Sequence, residues 1–264
     1  MGVRNYCTYF DWNYLAQGLA LYESMERCCQ PYHLWILALC GQTSQRLSDL
    51  KLPNVTVVHM ADFETDELRA VRPTRDWREY IWTTTGGWML YVLDRANHVS
   101  YVDADCQFFE RPLTLYEEIE GVNIAITPHR YSPVYQHFAG LVGIYNVGLI
   151  YATRQGVGCL RHWYRQCLNE CRFRTGDQKY LDDWPQRWGA HPIRHKGVDL
   201  APWNQIQYSY TVQDNHMWVD GEPLLLYHFH GGLDGGGYPL APLVEQFVYG
   251  ERHRVLEQVR EKYF

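Results

Sequence analysis

Apolar runs that suit strands alternate with stripes at helical spacing through the first half of the chain. Residues 6–10 are β-prone and end in the turn Asp11-Trp12-Asn13, after which Leu15, Leu19, Tyr22, Met25 and Cys29 recur with a 3.6-residue period. Residues 33–40 and 55–60 are two further apolar strands joined by a polar connection, the second preceded by Leu52-Pro53-Asn54. Short and long helices follow at 66–71 and 77–93, with Gly86-Gly87 as a weak point that invites a kink. Strands at 98–102, 122–127 and 143–152 and a helix at 157–171 continue the alternation. A helix opens at Asp177 and stops near Trp184-Pro185, and a last helix spans 243–263. This order predicts an α/β fold with a mostly parallel central sheet flanked by helices. Beyond Gly189 short β runs at 208–212 and 224–229 make the C-terminal part β-richer, and residues 1–264 read as a single domain.

Composition narrows the function classes. A chain of 264 residues, 46% hydrophobic and 15% aromatic, buries a large core. The charge of −6, with 30 acidic against 24 basic residues and no lysine or arginine block, argues against a nucleic-acid partner. No apolar run reaches transmembrane length and residues 1–6 lack a signal-type segment, so the expectation is a cytoplasmic protein, with peripheral membrane association left open. The eight cysteines read as reduced, mostly buried thiols.

Candidate chemistry gathers at the end of the 98–102 strand. Asp103 and Asp105, separated by Ala104, share a face if extended, and two acids there repel unless a cation lies between them. A hard divalent ion suits that pair; the alternative is a turn cap and a solvated carboxylate. Tyr227-His228-Phe229-His230-Gly231 supplies imidazoles at a second strand end, and a neutral imidazole commonly completes a manganese site.

Six segments in order carry a resemblance. Thr8-Tyr9-Phe10-Asp11-Trp12-Asn13-Tyr14 followed by Gly18, Tyr101-Val102-Asp103-Ala104-Asp105, Asn146-Val147-Gly148, Gly176-Asp177-Gln178, Ala201-Pro202-Trp203-Asn204 and His228-Phe229-His230-Gly231 together resemble glycosyltransferases of the GT-A fold. The nearest likeness is to the family of glycogenin and the bacterial lipopolysaccharide galactosyltransferases. The resemblance implies a Rossmann-like domain that transfers sugar from a nucleotide diphosphate, most simply a UDP-sugar, to a glycan or small hydroxyl acceptor. It implies Mn2+ or Mg2+ held by Asp103, Asp105 and His228. Thr8, Tyr9, Tyr14, Arg75, Asp103, Ala104, Asn146, Gly148, His230 and Gly231 are then donor-binding candidates, and Asp177 and Gln178 the catalytic ones. Retention of configuration is favoured; under inversion Asp177 is the leading base.

Two departures stand out. The lysine that follows the histidine segment in that family is missing, and Gly232-Leu233-Asp234-Gly235-Gly236-Gly237 stands in its place, a candidate anion nest. The basic residue expected on the helix before Asp103 is also missing, which leaves Arg75, or Arg78, to do its work. The rival readings are a non-catalytic nucleotide-sugar-binding module and a nucleotidyltransferase. The latter lacks a basic glycine-rich loop between Phe10 and Gly18.

Overall fold

The computed structural model describes residues 2–172, 176–230, 232 and 235–264. Its first strands are β1 (Arg4–Phe10), β2 (Tyr32–Ala38), β3 (Val55–His59), β4 (His98–Val102), β5 (Cys106–Phe108) and β6 (Ile124–Pro128). They are followed by β7 (Tyr145–Thr153), β8 (His191–Pro192), β9 (Tyr210–Gln213), β10 (His216–Val219), β11 (Glu222–Pro223) and β12 (Leu226–His228). The longer helices are interspersed with short ones: α1 (Leu15–Cys28), α2 (Gly41–Leu50), α3 (Met60–Phe63), α4 (Asp66–Val71), α5 (Trp77–Leu93) and α6 (Leu113–Glu118). Then come α7 (Phe138–Val142), α8 (Val157–Asn169), α9 (Trp184–Trp188), α10 (Pro242–Val244) and α11 (Gly250–Tyr263).

Seven strands form one sheet in the order β3-β2-β1-β4-β7-β6-β8. β1 to β4 are mutually parallel, as the alternating pattern predicts, and β7 runs antiparallel to both β4 and β6. The chain therefore turns back from β6 into β7 at the end of the sheet where β1 and β4 finish, and residues 129–144 hang over that end.

Period-two alternation divides β1 between the two faces. Tyr6 and Phe10 pack with Leu15, Leu19 and Met25 of α1 and Val255 and Val259 of α11, whereas Cys7 packs with Trp88 of α5 and Trp163 of α8. A third cluster joins Met217, Tyr227, Phe229, Val244 and Tyr249 under the three-stranded β9–β11 sheet. That is the β-richer C-terminal part.

Three local expectations change. The polar connection after β2 is the helix α2, which buries only Thr43, Ser44 and Leu47 and so shows no apolar stripe. Pro185 does not stop a helix: it lies in the first turn of α9, where its missing N–H goes unused. Helix α5 is continuous through Gly86-Gly87, starting from an Asp76/Glu79 capping box. The two glycines serve close packing, since a Cβ on Gly87 would lie 2.9 Å from the Tyr164 ring and one on Gly86 3.1 Å from Trp163. That face of α5 is filled by α8.

Candidate active site

β2 and β4 lie on opposite sides of β1, the reversal of strand order at which open α/β sheets leave a crevice. The carboxylates enter here. Asp103, Ala104 and Asp105 form a turn rather than a continuation of β4, closed by the Cys106 N–H on the Asp103 carbonyl at 3.0 Å. The chain then leaves the main sheet as β5, which pairs antiparallel with β12 in a register that sets His228 opposite Cys106. The pairing delivers the imidazole to the turn. His228 Nε2 lies 3.3 Å from Asp105 Oδ1 and 3.6 Å from Asp103 Oδ2.

On the other side of the ring, His228 Nδ1 lies 3.1 Å from Asp199 Oδ1. Asp199 is fully buried, has a left-handed φ of 56° and leaves its Oδ2 without a hydrogen-bond partner. Gly148 makes this approach possible, because a Cβ there would sit 2.5 Å from His228 Nδ1 and 2.9 Å from Asp199 Oδ1. Asn204, fully buried, holds the Asp199 carbonyl at 3.1 Å and the His129 carbonyl at 3.0 Å. Trp203 packs edge-on against both His228 and His230.

Electrostatics follow from this crowding. Burial pushes the Asp103 carboxyl up to about 6, with Asp105 adding to the rise and His228 opposing it. At Asp105 burial also pushes upward, but His228, His230 and Arg252 outweigh it and hold the group below the usual range. Burial disfavours a charged His228, yet Asp105 and Asp199 raise it well above an ordinary histidine. Three acids around one imidazole carry an excess of negative charge that a divalent cation relieves.

The donor set fits such an ion. Ligating atoms of Asp105, Cys106 and His228 lie within 4.8 Å of one another. Burial raises the Cys106 thiol well above its ordinary value, and it points to the Gly148 carbonyl at 3.8 Å. The carboxylate oxygens and Nε2 are therefore the available donors, a set suited to manganese or magnesium.

Asp177 is 5% exposed, accepts a hydrogen bond from Thr85 Oγ1 at 3.1 Å and has its carboxyl pushed up to about 7 by burial, with Asp103 contributing. Thr85 also lies 3.0 Å from the Tyr9 hydroxyl, and Tyr101 donates to Asp103 Oδ1 at 2.5 Å. Gln178 follows, half-buried, at the start of a 3-10 turn. The side-chain oxygen of Asn146 accepts the Gly148 N–H at 2.5 Å and its amide faces His129 Nε2 at 3.2 Å, so it braces the glycine.

The other sequence candidates are spread unevenly. Tyr14 is 49% exposed and feels the charges of Asp105 and Arg78, Ala104 is buried in the turn, and His230 is exposed beside Trp203. Thr8 is fully buried in β1. Arg75 is tied to Thr83 and, at 2.7 Å, to the Leu168 carbonyl, whereas Arg78 acts electrostatically on Tyr14 and His230. Gly231 lies outside the described residues, as do Leu233 and Asp234 of the candidate nest. Asp199 and Thr85 were not legible as site residues. Asp199 does fall two positions before the Ala201-Pro202-Trp203-Asn204 segment, but no spacing ties it to a histidine 29 residues on.

No protein-family model matches the chain. YfnF of Bacillus subtilis (strain 168) is 30% identical over 244 residues, spanning 86% of this chain and 80% of that protein. The chain belongs to the YfnF family. YfnD of the same organism, like YfnF described as uncharacterised, is 26% identical over 244 residues, spanning 88% of this chain and 78% of that protein. Among solved structures, the galactosyltransferase LgtC in complex with donor and acceptor sugar analogues superimposes with a TM-score of 0.59 at 15% identity, covering 97% of this chain and 95% of LgtC. Mouse xyloside xylosyltransferase 1 gives 0.57 at 12% identity, covering 91% and 100%. The glycosyltransferase GlyE of Streptococcus pneumoniae TIGR4 gives 0.53 at 13% identity, covering 99% and 64%. This member of the YfnF family has the GT-A glycosyltransferase fold.

Proposed function

We propose that the chain is a metal-dependent glycosyltransferase that moves a sugar from a nucleotide-diphosphate donor, a UDP-sugar, to a hydroxyl of a glycan or small acceptor in the cytoplasm. The observation that carries this reading is the convergence of Asp103 and Asp105 on His228 Nε2 at the crevice of a GT-A sheet. Bound there, a divalent ion would neutralise charge on the departing diphosphate. Asp103, Asp105 and His228 would hold it, with Asp199 keeping the imidazole turned so that Nε2 faces the carboxylates.

In this reading Tyr14 stacks on the base, and Tyr9, Asn146, Gly148 and His230 border the donor. Gln178 presents its amide to the sugar. Asp177 is nearly sealed and bonded to Thr85, so an acceptor hydroxyl has little access to it as a base. That burial supports retention of configuration. Tyr131, Tyr135 and Phe138, which pack on one another over the sheet end, offer apolar ring faces to an acceptor sugar.

The test is a melting-temperature panel of nucleoside diphosphates and their sugars with and without Mn2+, followed by donor hydrolysis. Stabilisation by one nucleotide only with the metal, at roughly 2.7 kcal/mol for ligand at 100 times its Kd, is the expected result. Binding without any hydrolysis or transfer would leave the non-catalytic module. Silence across the panel from a folded protein would overturn nucleotide binding altogether.

A further inference from the structure

A diphosphate donor carries charge that one divalent ion does not cancel, and the lysine expected after His228 is absent. A different cation stands behind Asp105. Arg252, on α11, is 1% exposed, donates from Nη1 to Gln107 Oε1 at 3.2 Å and has its guanidinium 4.6 Å from the centre of the Phe229 ring. It has no ion-pair partner among the described residues. A buried guanidinium carries five N–H donors and a full charge, which Asp105 offsets here without a direct ion pair.

Arg252 opens onto a cavity of about 60 Å³ that it shares with Tyr14, Gln17, Asp105, Phe229 and Leu256. One water needs about 10–15 Å³, so there is space for a group the size of a phosphate. Gln17, half-buried on the same wall, has no hydrogen-bond partner on Oε1 and so can turn its side-chain NH2 toward an anion. The Arg252 charge already acts on Asp105, so an anion here would lie between a fixed cation and the metal-binding turn.

We infer that Arg252 is the cation that meets the donor's diphosphate, in place of the missing lysine, and that this cavity is its phosphate subsite. The inference rests on the nucleotide-sugar reading above. A planar guanidinium fork matches two phosphate oxygens and reaches them from α11, which the pattern around the histidine segment could not reveal.

The experiment compares UDP, uridine and inorganic pyrophosphate by calorimetric titration and competition at saturating Mn2+, using the full chain. Arg252→Gln should weaken UDP and pyrophosphate by roughly 10–100-fold, the scale of a charge-assisted hydrogen bond, and leave uridine unchanged. Gln17→Glu is isosteric at a half-buried position and puts a carboxylate in the subsite; it should produce the same selective loss and serves if Arg252→Gln melts early. An equal loss of UDP and uridine, or UDP binding unaffected by both variants, would overturn the role of Arg252. A wild-type protein that binds none of the three would instead remove the nucleotide reading on which the inference rests.

Discussion

His228 is held from both sides: Nδ1 lies 3.1 Å from Asp199 Oδ1, and Nε2 lies 3.3 Å from Asp105 Oδ1. A carboxylate on one ring nitrogen fixes the tautomer and orientation and makes the other nitrogen a better ligand. Asp199→Asn keeps the size of the side chain and removes the charge. Mn2+ affinity, read by titration without nucleotide, should fall by roughly 10–100-fold while the melting temperature of the metal-free protein stays close to wild type. An unchanged metal affinity would show that Asp199 only packs.

His228 and His230 separate ligand from neighbour. His228 is buried and aimed at both carboxylates, whereas His230 is exposed and meets Trp203 by its edge. His228→Ala should therefore abolish measurable Mn2+ binding, and His230→Ala should leave it within a few-fold of wild type. Equal losses in the same titration would mean that the assigned ligand is wrong.

Legibility in the sequence followed how local the determining contact is. β1, α1 and α5 announce themselves because periodicity and turn chemistry act within a few residues, whereas the turn at Asp103–Asp105 is legible only as the alternative to an extended pair. The antiparallel insertion of β7 does not, since nothing within 145–153 encodes which strands flank it. Asp199 and Arg252 escaped for a similar reason. Their roles depend on β12 pairing with β5 and on α11 packing against α1, contacts between segments far apart in the chain. Gly86 shows the reverse case: the position is legible, but its meaning comes from Trp163 and Tyr164 on another helix.

Gly148 gives a steric test of the same centre. Alanine there would push a methyl against His228 Nδ1 and Asp199 Oδ1, and closer still against the Asn146 side chain. Overpacking of this kind costs about 1–3 kcal/mol, and here it falls on the pair that orients the metal ligand. Gly148→Ala should lower both the melting temperature and Mn2+ affinity. A variant as stable and as tight-binding as wild type would contradict the packing described.

Asp177 yields a pH dependence with a definite sign. Burial raises its carboxyl from 3.8 to about 7, so between those values the unfolded chain has released a proton that the folded chain retains. Stability from this group is therefore complete below the lower value and is lost as pH rises through the upper one. The interval corresponds to at most about 4 kcal/mol, at 1.36 kcal/mol per unit. Asp177→Asn has no proton to lose, and its amide oxygen can still accept from Thr85 Oγ1. Wild type and variant should melt together near pH 4, and the variant should melt several degrees higher at pH 8, given roughly 2–4 °C per kcal/mol for a chain of this size. If wild type is the more stable at pH 8, Asp177 is ionised and well compensated in the fold. That result would overturn the burial-raised carboxyl described above.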